Sequence, residues 1–187
     1  MDAKEIYGKT TARGTQMRYK GVWDMADLYQ AMADFFKKRK YKFYEVMNKH
    51  KHPSPFGVER QYGWIAVRQT EEFIQWKMYT YMHIYDAHDV EVTMKDGSTH
   101  TFTKGRMIFE FRGETVMDWE GRFEDTPFYM QLRNFYYKYI VKKKIVEIDT
   151  TQITFEVYRL QTLIKERLDM ESRSFEHRHF MGPYRTA

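Results

Sequence analysis

The fold is decided by the stretch Phe73–Tyr85, which reads FIQWKMYTYMHIY. Apolar and more polar residues alternate along it, and side chains that alternate in this way point to opposite faces of a β-strand. One face carries Ile74, Trp76, Met78, Met82 and Ile84, and the other carries Gln75, Lys77, Tyr79, Tyr81, His83 and Tyr85. The stretch therefore predicts a long strand with one core face and one polar face that is rich in tyrosine.

The same period of two extends from Tyr41 to Phe123 and predicts a series of antiparallel strands. Pro53–Gly57 and Asp96-Gly97 interrupt the pattern, and Asp-Gly between apolar runs is typical of a tight hairpin. The last strand, Arg106–Phe123, alternates Met107, Phe109, Phe111, Met117 and Trp119 with Arg106, Glu110, Arg112, Glu114, Asp118 and Glu120. Such alternation indicates a meander with one solvated side.

Helices are predicted before and after the meander in the chain. The first follows Asp24, a favoured N-cap, and ends in a basic run where the helix dipole favours cations. The second begins at Thr126-Pro127, and the third has the clearest amphipathic period. Their predicted buried stripes are Phe128, Leu132, Phe135 and Tyr139 in the second, and Ile153, Val157, Leu160, Ile164 and Leu168 in the third.

The expected fold class is α+β, a curved antiparallel meander sheet with one N-terminal helix and two C-terminal helices packed on one face. A chain of 187 residues is close to the usual size of one domain. We expect residues 1–15 to form a flexible N-terminal arm, residues 16–170 a single domain, and residues 171–187 a basic aromatic tail.

Composition excludes several classes of protein. The chain has no cysteine, which excludes disulfides, thiolate metal sites and a cysteine nucleophile. It also lacks a long apolar run and an N-terminal signal-peptide pattern, so we expect a cytoplasmic protein without a membrane partner. Aromatic residues make up 18% of the chain and the net charge is +5, a balance compatible with phosphate-rich partners.

Two resemblances come from the order of residues and elements. An uncharacterised family of small archaeal α+β proteins resembles this chain in the segments Gly105–Phe111, Asp118–Phe123, Pro127–Tyr129, Leu132-Arg133 and Tyr158–Lys165. This resemblance implies a lineage and no activity. The element order resembles the helix-grip architecture of the START-like superfamily, in which a terminal helix closes a sheet over a hydrophobic cavity.

Few residues have the spacing of catalytic or metal-binding motifs. His83, Asp86, His88 and Asp89 could together bind Zn²⁺ or Mn²⁺, although such residues at a strand end are also typical of a solvated loop. Glu110, Glu114, Asp118 and Glu120 could support acid–base chemistry, or they could form a charge ladder with residues such as Lys77. The sequence favours the loop and the ladder and predicts no cofactor. An enzyme is the least favoured class of function, although the carboxylates of the last strand leave it open.

Basic residues interleaved with aromatic ones form the remaining candidate site. They occur after the first helix, after the second helix and in the tail, as Lys37, Lys38, Arg39, Lys40, Lys42, Tyr44, Lys142, Lys143, Lys144, Arg173 and Arg178. Cations suit nucleic-acid phosphates and rings suit unstacked bases, whereas the helix dipole alone would also explain the two lysine runs. Tyr79, Tyr81 and Tyr85 offer a further stacking surface.

Three hypotheses follow. The favoured one is a non-enzymatic module that binds RNA or a ribonucleoprotein through these basic aromatic patches. The first alternative is a helix-grip-like binder of a hydrophobic small molecule or lipid, which requires an apolar cavity between the sheet and the third helix. The second alternative is a structural or virus-derived component that assembles with itself into a homo-oligomer.

Overall fold

The computed structural model describes residues 9–11, 14–54, 57–93, 97, 99–121, 126–136, 138–139 and 150–170. Its elements confirm the α+β class. In chain order they are β1 (Lys9–Thr11), β2 (Thr15–Trp23), α1 (Met25–Lys38), β3 (Lys42–Ser54), β4 (Gly57–Glu71), β5 (Ile74–Thr93), β6 (Thr99–Met117), α2 (Pro127–Tyr136) and α3 (Thr150–Arg167).

All strands belong to one open antiparallel sheet. Its order is β2–β6–β5–β4–β3, and the short β1 extends the β2 edge by pairing with the far end of β6. Lys9–Thr11 therefore belong to the sheet, although we expected the first fifteen residues to form a flexible arm. The predicted tail, residues 171–187, lies outside the described residues.

The central strand β5 is longer than the sequence indicates. The predicted strands before and after Asp86–Asp89 are one strand, β5, with a register shift against β6 between Tyr85 and His88. A bulge of this kind lets a long strand bend without ending, and Asp86 adopts a positive φ of 54° within it. Gly105 lies opposite, where an added Cβ would come within 2.8 Å of the Tyr85 carbonyl oxygen.

The core lies between one face of the sheet, here called the inner face, and helices α1 and α3. The predicted core face of β5 is buried, as are the central aromatic residues of β6. Gly113 allows α3 to approach closely, because a Cβ at this position would lie 3.1 Å from Cγ1 of Ile153. The stripe that α3 turns to the sheet is confirmed as Ile153, Val157, Leu160, Ile164 and Leu168.

Capping and ion pairs fix the first helix. The Asp24 carboxylate accepts from the backbone amides of Ala26 and Asp27, as expected of an N-cap. Asp27 also accepts from Arg167 near the end of α3, and Arg39 after α1 pairs with Glu156 in the middle of α3 at 3.1 Å. Both ends of α1 are thereby connected to α3.

The predicted burial of α2 is wrong. Phe128, Leu132 and Phe135 are 69%, 44% and 56% exposed, and no side chain of this helix is buried. The physical reason is that α1 and α3 already cover the inner face, so no apolar sheet surface is left for α2. The salt bridge between Arg133 and the buried Asp118, at 3.8 Å, connects the helix to the end of the sheet.

The solvated side predicted for the last strand differs from the structure at two positions, because Asp118 and Glu114 are both buried. Glu114 was expected on the wet face, but it is only 7% exposed and accepts a hydrogen bond from the Tyr79 hydroxyl.

Among the helices that the structure describes, none combines the length and the apolar character needed to cross a bilayer.

Candidate functional site

The face of the sheet opposite α1 and α3, here called the outer face, carries most of the chemically distinctive side chains. Cross-strand pairing arranges them in rows that run from β3 to β2. In order along the sheet, the rows are Lys42, Val67, Lys77 and Glu114; Tyr44, Ile65, Tyr79 and Arg112; Gly63, Tyr81, Glu110 and Gln16; Gln61, His83, Ile108 and Arg18; and Tyr85, Arg106 and Lys20. These rows contain six cationic side chains and two carboxylates, so the outer face is basic.

Three tyrosines of β5 form the aromatic centre of the outer face, as their alternation predicts. Tyr79, Tyr81 and Tyr85 are all half-buried, so part of each side chain is open to solvent. Burial, and then the hydrogen bond to Glu114, raise the pKa of Tyr79 to about 12. This phenol is therefore neutral near pH 7 and keeps its proton for the Glu114 carboxylate.

His83 lies between Tyr81 and Tyr85 along β5 and is fixed from two sides. The ring of Tyr85 stacks on His83 with centroids 3.8 Å apart and an interplanar angle of 28°. Nε2 of His83 bonds the Glu59 carboxylate, which also accepts from Gln61 at 3.0 Å. The His83 and Gln61 hydrogen bonds lower the pKa of Glu59 from its usual value. The network holds the imidazole between the Tyr85 ring and the Glu59 carboxylate.

A pocket of about 510 Å³, here called the central pocket, opens in the middle of the outer face. Its lining includes Ile65, Tyr79, Tyr81, Glu110 and Arg112. The register of β3 against β4 shifts between Glu45 and Met47, opposite the residue pair Trp64 and Gly63. The pocket combines apolar and aromatic surface with an acidic and a basic group, which suits a flat polar ligand.

A second pocket, of about 450 Å³ and here called the lysine pocket, lies at the end of the outer face beside β3. Lys40, Lys42 and Lys77 line it together with Tyr44 and Trp119, and Val67, Arg68, Gln69 and Gln75 complete the lining. Arg68 stacks on the rings of Tyr41 and Trp76, at 4.8 and 4.6 Å from their centroids. The pocket therefore joins three amines to two aromatic side chains.

Two further pockets open at the opposite end of the outer face. One, of about 430 Å³, is lined by residues that include Arg18, Lys20, Tyr85 and Arg106. The other, of about 880 Å³, adds Lys104 and His88. Cations therefore lie at both ends of the line of tyrosines along β5.

The predicted basic run after α1 is divided by the structure. Lys37 and Lys38 are exposed at the end of the helix, whereas Arg39 is turned inward to Glu156. Lys40, Lys42 and Tyr44 lie in the lysine pocket. The other predicted residues, Lys142, Lys143, Lys144, Arg173 and Arg178, lie outside the described part of the chain.

The four residues considered for a metal site are bonded to different partners. Asp86 accepts from Arg106, Asp89 accepts from Arg60 and Thr103, His83 bonds Glu59, and His88 bonds the Asp86 carbonyl. Within the described residues, no group of three or more histidine or acidic side chains is arranged to hold a metal ion. The expected loop is wrong, because His83, His88 and Asp89 pair with β6 and only Asp86 lies in the bulge of β5.

Sequence reasoning missed several members of the outer face. Lys77 was assigned only to a charge ladder, and Trp119 was expected on the core face of a strand that in fact ends at Met117. Arg18, Lys20 and Arg112 join the same surface through strand pairing. The register between distant strands brings these residues together, and the local alternation identifies only the face on which each one lies.

The sequence matches no protein-family model. It also matches no curated protein.

Proposed function

We propose that the protein is a non-enzymatic module that binds single-stranded RNA across the outer face of its sheet. The observation that carries this proposal is the line of half-buried tyrosines along β5, with cations at both ends. A solvated sheet face needs neither feature for folding. Together they match what a single strand requires, because unstacked bases stack on aromatic rings and phosphates bind cations.

The arrangement of the tyrosines supports stacking over simple packing. Tyr79 is held by its hydrogen bond to Glu114, and Tyr85 is held by stacking on His83. Rings that are fixed before binding lose little conformational entropy when a base stacks on them. The central pocket next to Tyr79 and Tyr81 provides space for one base, with Glu110 and Arg112 at its rim for hydrogen bonds.

The cavity that a helix-grip-like binder requires is not among the four pockets described above, all of which involve the outer face or its edge. Between the sheet and α3, Ile153, Leu160 and Ile164 have no exposed surface and pack directly on the strands. This packing favours the outer face over the interior as the ligand site.

Self-assembly is the second candidate, because α2 exposes Phe128, Phe135 and Tyr136 together. Exposed apolar clusters of this kind are typical of surfaces that another molecule covers. Light scattering on the purified chain distinguishes this candidate from a monomeric RNA-binding module.

Replacing Tyr81 by alanine should weaken binding of a short single-stranded RNA by about tenfold, the usual loss for one stacked base. The measurement is fluorescence anisotropy with a labelled oligonucleotide at low salt, and affinity should fall steeply as salt is added. Tyr136→Ala, the same change on α2, is the matched control and should leave the affinity unchanged. Failure of the unmodified protein to bind the oligonucleotide at low salt would contradict the proposal.

A further inference from the structure

Two lysines of the lysine pocket face the same space from different strands. Lys42 of β3 and Lys77 of β5 lie in one row with Val67 of β4 between them. Neighbouring strands are about 4.8 Å apart, so the two backbones are separated by roughly 10 Å. Each amine has a flexible stem of four carbons, and both can therefore reach a single anion above Val67.

The charge of this pocket is not balanced by the protein. Among the described residues, none of the amines of Lys40, Lys42 and Lys77 forms an ion pair or a hydrogen bond. Glu114 is directly opposite Lys77 in the sheet, but its carboxylate accepts from Tyr79 and is buried. Three uncompensated amines around one cavity raise the local potential, which an anion would relieve.

The remaining lining supplies groups that recognise a nucleoside. Tyr44 is 53% exposed and presents its ring, and Gln69 and Gln75 place side-chain amides in the same lining. The indole N–H of Trp119, a residue of the same lining, is buried and has no hydrogen-bond partner in the described structure. A volume of about 450 Å³ lies within the range typical of small-ligand sites.

We infer that the lysine pocket binds a nucleoside monophosphate group, with the phosphate between Lys42 and Lys77 and the base against Tyr44. The same chemistry is presented by the phosphorylated end of an RNA strand and by a free nucleotide. The pocket lies at the end of the outer face, in the row of Lys42, Val67 and Lys77, where an RNA strand lying across the tyrosines would terminate. The inference rests on the proposed function and specifies that this surface recognises the phosphorylated end of an RNA strand.

The test compares two oligonucleotides of one sequence, with either a terminal phosphate or a terminal hydroxyl group. The unmodified protein should bind the phosphorylated strand about tenfold more tightly, because two charge-assisted contacts are added. The double variant Lys42→Gln, Lys77→Gln should lose this preference and bind the hydroxyl strand as before. Lys37→Gln, Lys38→Gln removes the same charge outside the pocket and should retain the preference.

Titration with adenosine monophosphate and with adenosine at equal ionic strength distinguishes a free nucleotide from the phosphorylated end of an RNA strand as the ligand. If only the strand end is recognised, the free nucleotide binds weakly while the phosphorylated strand keeps its advantage. If the site is a nucleotide pocket, the monophosphate binds, and the lysine variant loses this binding even when no oligonucleotide binds. Equal affinity for both strand ends, together with equal affinity for the monophosphate and the nucleoside, would overturn the inference. Absence of oligonucleotide binding alone would overturn only the proposed function.

Discussion

Replacing Phe109 by alanine is expected to lower the free energy of unfolding by about 3–5 kcal/mol. Phe109 is fully buried on the inner face of β6, directly opposite Met82 of β5 and Met17 of β2. Its ring stacks beside Phe111 with centroids 5.8 Å apart. The substitution removes the ring and leaves a cavity that neighbouring strands cannot close, because both are held by the hydrogen bonds of the sheet.

Phe128→Ala on α2 is the matched control, since it removes the same ring from a side chain that is 69% exposed. We expect a change within about 0.5 kcal/mol there, as for most surface substitutions. Urea denaturation followed by circular dichroism measures both variants. Equal losses in the two variants would show that α2 is buried in solution, which contradicts the arrangement described above.

Replacing Arg39 by alanine is expected to lower the free energy of unfolding by about 2 kcal/mol. Its guanidinium lies 3.1 Å from the Glu156 carboxylate, which is only 6% exposed in the middle of α3. Without Arg39 the carboxylate stays buried with Arg159, at 2.8 Å, as its remaining ionic partner. The loss arises mainly because a buried charge is left incompletely paired, so it exceeds the value of a surface ion pair.

The double variant Arg39→Met, Glu156→Met separates pairing from simple loss of packing. It should be more stable than Arg39→Ala, because an apolar pair leaves no incompletely paired carboxylate buried at position 156. Lys38→Ala, one position earlier and exposed, should be nearly neutral in thermal denaturation. A large loss of RNA affinity in folded Arg39→Ala would instead assign Arg39 to ligand binding, as the sequence alone led us to expect.

The local pattern is sufficient to predict the elements that depend on neighbouring residues. The alternation in Phe73–Tyr85 predicts the long central strand and its two faces, and Asp24 predicts the start of α1. In both cases the deciding interaction is within a few residues of the signal. The fold class follows, because a sheet with one apolar face requires helices to cover that face.

The remaining features depend on residues that are far apart in sequence. Asp86 and His88 have the composition of a loop, and only the continued pairing with β6 shows that they form a bulge within one strand. The amphipathic pattern of α2 predicts that its apolar side packs against another part of the protein. Which helices pack on the inner face is determined by the whole fold. Arg39 likewise is a surface cation by local criteria, and its burial partner Glu156 is 117 positions away.

The position of β2 at the edge of β6 has a consequence for biosynthesis. Gln16 and Glu110 form a hydrogen bond across 94 positions, and Thr15 accepts from Gln161 across 146. A nascent chain leaving the ribosome must therefore release the whole of β6, as far as Met117, before β2 has its full partner. Such late closure predicts slow maturation and a period in which β2 is unpaired and open to misassembly.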